Sequence, residues 1–231
     1  MPGRLPGRRD RPAARRSPSG GRLMSRRQVH PIEAESYRRL RARRDTSHLP
    51  PLTRAVAERV VHASADLEYF DDLVLADESV LRAAADALAA GAPIVADVEM
   101  VAAGITARES VCRVRQAKAD PAAGLTRSAA AVGMALEEVG HGAVWVIGCA
   151  PTALEELLVL DARPALVIGL PVGFVGAAES KAALRASGLP GVSNISEKGG
   201  SAVAAAALNA LLYPDLYDTI TTSETSEEKN L

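Results

Sequence analysis

The stretch "ERVVHASADLEY", residues 58–69, sets His62 between an apolar pair and an alternating polar run. The chain has four histidines and two cysteines, so groups that titrate near neutral pH are scarce. Leu52, Val56, Val60 and Val61 mark the apolar arc of a helix that opens at Pro51. At ~100° per residue His62 falls nearly opposite the centre of that arc, on the side of Glu58 and Arg59. A ring in that position is either exposed or turned into a cleft. In a cleft it can donate and accept a proton, work that suits an imidazole with an ordinary pKa of ~6.5. His30, His48 and His141 sit near helix starts or in a Gly-flanked turn, with less to recommend them. Cys112 and Cys149 are isolated thiols without a CxxC spacing, read as small apolar side chains in a reducing compartment.

A fixed cation stands in "LTRSAAAV", where Arg127 opens a helix between Thr126 and Ser128. A guanidinium beside helix-start donors suits a carboxylate, because it can bind both oxygens at once; a surface salt bridge is the plainer alternative. Three junctions, "IGCAPTALEE", "IGLPVGFVGAAESK" and "EKGGSAVAAA", place Gly and small residues where a strand hands over to a helix. Gly199 and Gly200 in the last of them leave backbone N–H groups accessible at a helix start, where the dipole favours an anion. The plainer alternative is that these glycines serve only tight turns. No GxxxxGK[ST] and no clean GxGxxG occurs, which argues against a nucleotide.

These residues need elements to hold them. The first third reads as helices: "PIEAESYRRLRARRD" with a basic face, "PPLTRAVAERVVHAS", and "DESVLRAAADALAAGAP" ending at Gly91. Apolar runs followed by helices come next: "APIVADV" then "EMVAAG", "SVCRVRQ" as a candidate second strand, "GAVWVIG", "ALVIGLP" and "GVSNI". Continuous apolar runs of this kind predict a mostly parallel sheet covered on both faces. The expected fold is a three-layer α/β/α sandwich of the doubly wound kind with a helical N-terminal part, its ligands gathered beyond the carboxyl ends of the strands.

In this order the motifs "RVVHASADLE", "GAPIVADVEMVAAGIT", "TRSAAA", "IGCAPTALEELL", "GLPVGFVGAAESK" and "GGSAVAAAALNALL" closely resemble the precorrin-8X methylmutases, including the cobalt-precorrin-8 enzymes. The resemblance runs from about Pro31 to Tyr213. It implies an isomerase of cobalamin biosynthesis that moves a methyl group from carbon 11 to carbon 12 of a contracted tetrapyrrole, giving hydrogenobyrinate or its cobalt analogue, cobyrinate. The rearrangement is a formal 1,5-sigmatropic shift that takes no cofactor and no metal from the protein. The resemblance assigns the catalytic role to His62 and places Arg127 on the substrate. It points to Ser36 of "EAESYRRL" as a further site residue, on a looser match. It also implies a cytoplasmic homodimer with its site near the subunit interface. A corrinoid carrier without catalysis would use the same carboxylate-binding junctions but would not need His62. A nucleotide-using α/β enzyme is the third reading, and it lacks the phosphate motif.

Bulk composition agrees with one soluble domain. With 48% hydrophobic and 24% charged residues but only 3% aromatics, the core is Ala, Val, Leu and Ile, and little is left to stack on bases. No segment approaches the ~20 apolar residues that span a bilayer. Residues 1–28 hold nine arginines against Asp10, a net of +8, so the rest carries −9 of the overall −1. That Pro-, Gly- and Arg-rich start has no apolar periodicity and is expected to be a disordered extension. An acidic body behind it counts against a nucleic-acid tail, and the absence of an apolar run counts against a secretory signal. Residues 29–213 form the expected single domain, and 214–231 a flexible acidic tail. A chain begun at Met24 should therefore fold and turn over like the full chain; a large fall in melting temperature or in specific activity on removing residues 1–23 would refute this.

Overall fold

The computed structural model describes residues 30–213; the basic extension and the acidic tail lie outside them. Five short strands form one sheet: β1 (Leu73–Leu75), β2 (Ile94–Ala96), β3 (Val144–Ile147), β4 (Leu166–Gly169) and β5 (Gly191–Asn194), in the order β1-β5-β4-β3-β2. Strands β2 to β5 run parallel, and β1 joins β5 antiparallel with Val74 opposite Ser193. The mostly parallel sheet expected from the apolar runs is present. The edge strand β1 was not foreseen, because three residues within "DDLVLAD" carry too little pattern. The candidate strand "SVCRVRQ" does not form: Val111 makes one isolated bridge to Val95, and the chain then turns.

Side chains alternate across the sheet and build two separate cores. Val144, Val146, Leu166, Ile168 and Val192 face α1 (Pro31–Arg41), α2 (Pro51–Ser64), α4 (Glu78–Ala89), α5 (Glu99–Gly104) and α9 (Ser201–Leu212). Val95, Trp145, Ile147 and Val167 face α6 (Arg127–Val139), α7 (Pro151–Val159) and α8 (Ala177–Ala186). A short helix, α3 (Tyr69–Asp72), leads into β1. The result is three layers. No helix among the described residues is long and apolar enough to cross a membrane.

The middle helix of the first layer is α9, buried from Val203 to Leu211 on every side. Such a helix must be apolar all round, and its alanines also let neighbours come close. A Cβ on Gly104 would stand 2.7 Å from that of Ala205, and one on Gly148 2.8 Å from that of Ala204. Asn209 closes the end of α5, donating to the Gly104 carbonyl at 2.8 Å and accepting from the Thr106 amide at 3.3 Å.

Helix α2 lies on α9, and α1 lies on α2. The face of α2 opposite its apolar arc is therefore not open to water, as the periodicity alone allowed. Glu58, on that face, is fully buried. Arg41 of α1 grips its carboxylate through Nε and Nη2 at 3.1 and 2.9 Å, and Thr46 donates at 2.5 Å. The α2 N-terminus is held in turn by Glu78, which accepts from the Leu52 and Thr53 amides at 3.0 and 2.9 Å. Removing one partner of a buried ion pair leaves an uncompensated charge, a cost of about 3–5 kcal/mol. Arg41→Ala should lower the unfolding free energy by about that amount in urea titrations, and a loss under ~1 kcal/mol would mean that the pair contributes no more than a surface bridge.

Candidate active site

His62 occupies the last turn of α2, half-buried under α1. Its ring stacks on Tyr37, with centroids 4.9 Å apart and planes within 10°. Ser36 Oγ lies 2.9 Å from His62 Nδ1. With a neutral ring carrying its proton on Nε2, the Ser36 hydroxyl donates to Nδ1; in the imidazolium, Nδ1–H donates to Oγ. Either way the stacking and the bond fix the ring, and Nε2 is the end left for a ligand. The spacing behind this is simple: Ser36 and Tyr37 are adjacent on α1, and a single helix crossing brings both to one residue of α2.

Charge beside the ring is balanced. Arg59 pairs with Glu33 and donates to the Tyr37 hydroxyl at 3.3 Å. Burial, followed by the Arg59 guanidinium, holds the His62 imidazole below its ordinary pKa, while Glu33 pulls the other way. The free ring is thus biased toward the neutral form.

The end of α2 meets the start of α9 at the carboxyl edge of the sheet. A cleft of about 400 Å³ opens there, lined by Ala63, Ser64, Tyr69, Val172, Lys198 and Gly199 among others. Two of the Gly-rich junctions interlock at this edge. Gly200 donates its amide to the Leu170 carbonyl at 2.9 Å, and Gly173 donates to the Glu197 carbonyl at 3.2 Å. Gly199 has φ +157°, and a Cβ there would collide with the Leu170 and Pro171 carbonyl oxygens, so the close approach demands glycine. No side chain caps the α9 N-terminus; its donors stay available to an anion. Lys198 is tied down by Asp66 at 2.6 Å and by Glu68.

The other junctions differ from expectation. At "IGCAPTALEE" the anion is already supplied by the protein. Buried Asp97, just past β2, accepts from the amides of Gly148, Cys149 and Ala150 at 3.2, 2.8 and 3.0 Å. Burial pushes the Asp97 carboxyl above its ordinary range in spite of those donors. Cys149, beside it, is exposed rather than buried, whereas Cys112 is buried. Burial pushes the Cys112 thiol above its ordinary pKa, and partial desolvation followed by the nearby Asp97 does the same for Cys149. The loop "PVGFVG" leaves Phe174 and Val175 97% and 88% exposed.

Arg127 is the exposed first residue of α6, and its side chain makes no ion pair or hydrogen bond with any described residue. Thr126 caps that helix, accepting from the Ala129 amide at 3.1 Å, and its hydroxyl lies 2.8 Å from that of Thr152. Ser128 is partly buried in the first turn. This group belongs to the layer across the sheet from His62, so a single chain brings Ser36 to His62, Gly199 to the cleft and Gly200 to the start of α9, but shows no contact from these to Arg127. Sequence reasoning missed Tyr37, Asp97 and the buried Lys181. Lys181 had a signal: Ala177, Ser180, Lys181 and Leu184 share one helical face, and all four are buried. Among the described residues no three His, Cys, Asp or Glu side chains gather as a metal-ligand set.

The profile of the precorrin-8X methylmutases matches residues 31–214. The chain belongs to the precorrin-8X methylmutase family. It is 40% identical over 201 residues to a cobalt-precorrin-8 methylmutase of Salmonella typhimurium, covering 80% of this chain and 95% of that one. It is 43% identical over 195 residues to a precorrin-8X methylmutase of Pseudomonas aeruginosa, covering 78% and 93%. The structure resembles that of the precorrin-8X methylmutase of Thermus thermophilus with a TM-score of 0.69 at 36% identity, over 79% of this chain and 96% of that one. The interlocked glycine junctions and the His62 cluster lie wholly within the matched span.

The opposed charges at His62 give a direct test. Proton NMR should find His62 titrating below the ordinary imidazole value in the free protein. Arg59→Gln should move that titration upward, since it removes a repelling cation and leaves Glu33 in place; a downward shift, or none, would show that Arg59 does not set the ring's charge.

Proposed function

We propose that this methylmutase moves the methyl group of precorrin-8X, or of its cobalt-containing analogue, from carbon 11 to carbon 12, with His62 as the general acid. The observation that carries this reading is the His62 ring, fixed by Ser36 and Tyr37, with Nε2 making no hydrogen bond to a described residue, on the helical turn whose next residues, Ala63 and Ser64, line the cleft. One C–C bond breaks and one forms, composition is unchanged, and no electron acceptor is needed. What the rearrangement needs is positive charge spread through the conjugated ring. A proton or strong hydrogen bond from His62 Nε2 to a ring nitrogen supplies it, and general acid catalysis of this kind contributes ~10²–10⁴-fold.

The free ring's preference for neutrality is overcome on binding. The substrate carries many carboxylates, and anions near the imidazole favour the protonated form. The open α9 N-terminus suits one of those carboxylates, and Arg127 another, through its two-pronged geometry. A homodimer and a cytoplasmic setting belong to the same reading. The near-complete exposure of Phe174 and Val175 supports a partner subunit over that loop, since large exposed apolar patches mark contact surfaces.

His62→Ala should reduce methyl migration by two orders of magnitude or more, while product still binds and the melting temperature changes little. In wild type, kcat/KM should fall as pH rises through the depressed imidazole pKa of the free enzyme, while kcat falls at higher pH, because bound carboxylates raise that pKa. A variant that turns over near the wild-type rate with the same profile would leave a corrinoid carrier, or another acid, as the better reading. Assaying metal-free and cobalt-containing substrates side by side identifies the natural one.

Arg127→Ala should raise KM more than it lowers kcat, because a carboxylate clamp acts in ground and transition states alike. Arg127→Lys should recover only part of the loss. An unchanged KM in Arg127→Ala would remove Arg127 from the substrate.

A further inference from the structure

Lys181 of α8 is fully buried, and the chemistry above does not use it. Its ammonium donates to the Asn194 side-chain carbonyl at 2.9 Å and to the backbone carbonyls of Ser196 and Lys198 at 2.5 and 2.7 Å. An ammonium has three protons and no acceptor site, so every proton is committed. This rules out a free base or nucleophile and leaves a mechanical role. A buried ammonium is tolerated only when it is bonded in this way.

The two backbone acceptors belong to the loop between β5 and α9. Asn194 donates in turn to Asp72 at 2.7 Å and to the Lys198 carbonyl at 3.0 Å. Asp72 accepts from the amides of Ile195 and Ser196 at 3.0 and 2.8 Å. The same loop delivers Lys198 and Gly199 to the cleft wall, and Gly200 to the α9 N-terminus.

We propose that Lys181 is a positioning residue for substrate binding: clamped on the Ser196 and Lys198 carbonyls, it fixes the loop that presents Gly199, Gly200 and the α9 N-terminus to a substrate carboxylate. This rests on the assignment of the cleft to substrate. Because α8 packs on the opposite face of the sheet from α2, the clamp joins the layer that lacks His62 to the site that holds it.

A neutral amine has two protons for the three acceptors, so the clamp weakens on deprotonation. Asp72 of α3, Arg185 of α8, and Glu197 and Lys198 of the loop are the charged groups facing Lys181. Burial is the main influence and brings its pKa down to about 8, with Asp72 opposing and Arg185 assisting. Asp72 is held below its ordinary range by Ser196 and Asn194 against its burial, and Lys198 is held above its own by Asp66 and Glu68. Both keep their charge across the pH range in which Lys181 loses its proton.

The test uses the full chain with hydrogenobyrinate as the probe, its dissociation constant read by visible absorption. Lys181→Met should weaken product binding about tenfold or more and leave the single-turnover rate at saturation within about threefold. Hydrogen exchange without ligand should quicken at residues 195–200 and not in the strands. Propylamine should restore affinity to Lys181→Ala, and propanol should not. Between about pH 7 and about pH 9.5 wild-type affinity should fall at least about threefold more than that of Lys181→Met, the His62 contribution being common to both. Wild-type affinity flat over that range overturns the proposal even if the variants do not fold. So does Lys181→Met that binds product normally, or one that loses affinity and saturated rate together while all peptides exchange faster. Wild-type turnover of precorrin-8X tests the methyl-migration reading separately, and the exchange measurement involves no substrate.

Discussion

The grip of Arg41 on the buried Glu58 carboxylate decides where the first helix lies, and the rest of the site follows from that. Without it, α1 would be an amphipathic helix with a basic face and few buried residues, Tyr37 and Leu40 chief among them. With it, α1 is pinned over the polar side of α2. That one crossing delivers the Ser36 hydroxyl and the Tyr37 ring to His62 and takes the imidazole partly out of water. The ion pair is a costly way to hold two helices together, since desolvation offsets much of the attraction. Its value here is geometric: an apolar contact would permit sliding, whereas a two-pronged bond to a fixed carboxylate does not.

A second constraint comes from α9. Its alanines admit Gly104 and the end of β3 at near-minimal distances, and its first turn ends where two loops are hydrogen-bonded to each other. The site is thus built from elements whose separations have little room to vary. That suits the rearrangement as proposed above, in which the protein supplies orientation and a proton and no covalent chemistry.

Much of this was legible in the residues. Long apolar runs such as "GAVWVIG" and "ALVIGLP" mark buried parallel strands because both faces of the sheet are covered, and the glycine-rich turns after the strands mark the edge where ligands gather. His62 stood out because its angle excluded a place in the core formed with α9. What covered it was not legible: periodicity says which face is apolar, and not that a polar face will be sealed by another helix through an ion pair. For the same reason nothing in the pattern marks Glu58 as fully buried. "SVCRVRQ" has strand-like alternation, but only Val111 meets a neighbour. Its remaining contacts lie in a small cluster of Cys112, Val114, Ala117 and Ala131, which no local pattern reveals. Asp97 was hidden because one acid after an apolar run looks like any strand end until the opposing amides are in view.

Asp97 also bears on which molecules this fold refuses. In open parallel sheets the turn after a central strand is where a dinucleotide rests its pyrophosphate, on amides at a helix start. Here the amides of Gly148, Cys149 and Ala150 are occupied by a carboxylate just past the end of the neighbouring strand. A diphosphate would have to displace a tethered rival whose effective concentration is very high. Asp97 thus stands in the place of a pyrophosphate, an internal competitor of nucleotide binding built into the chain.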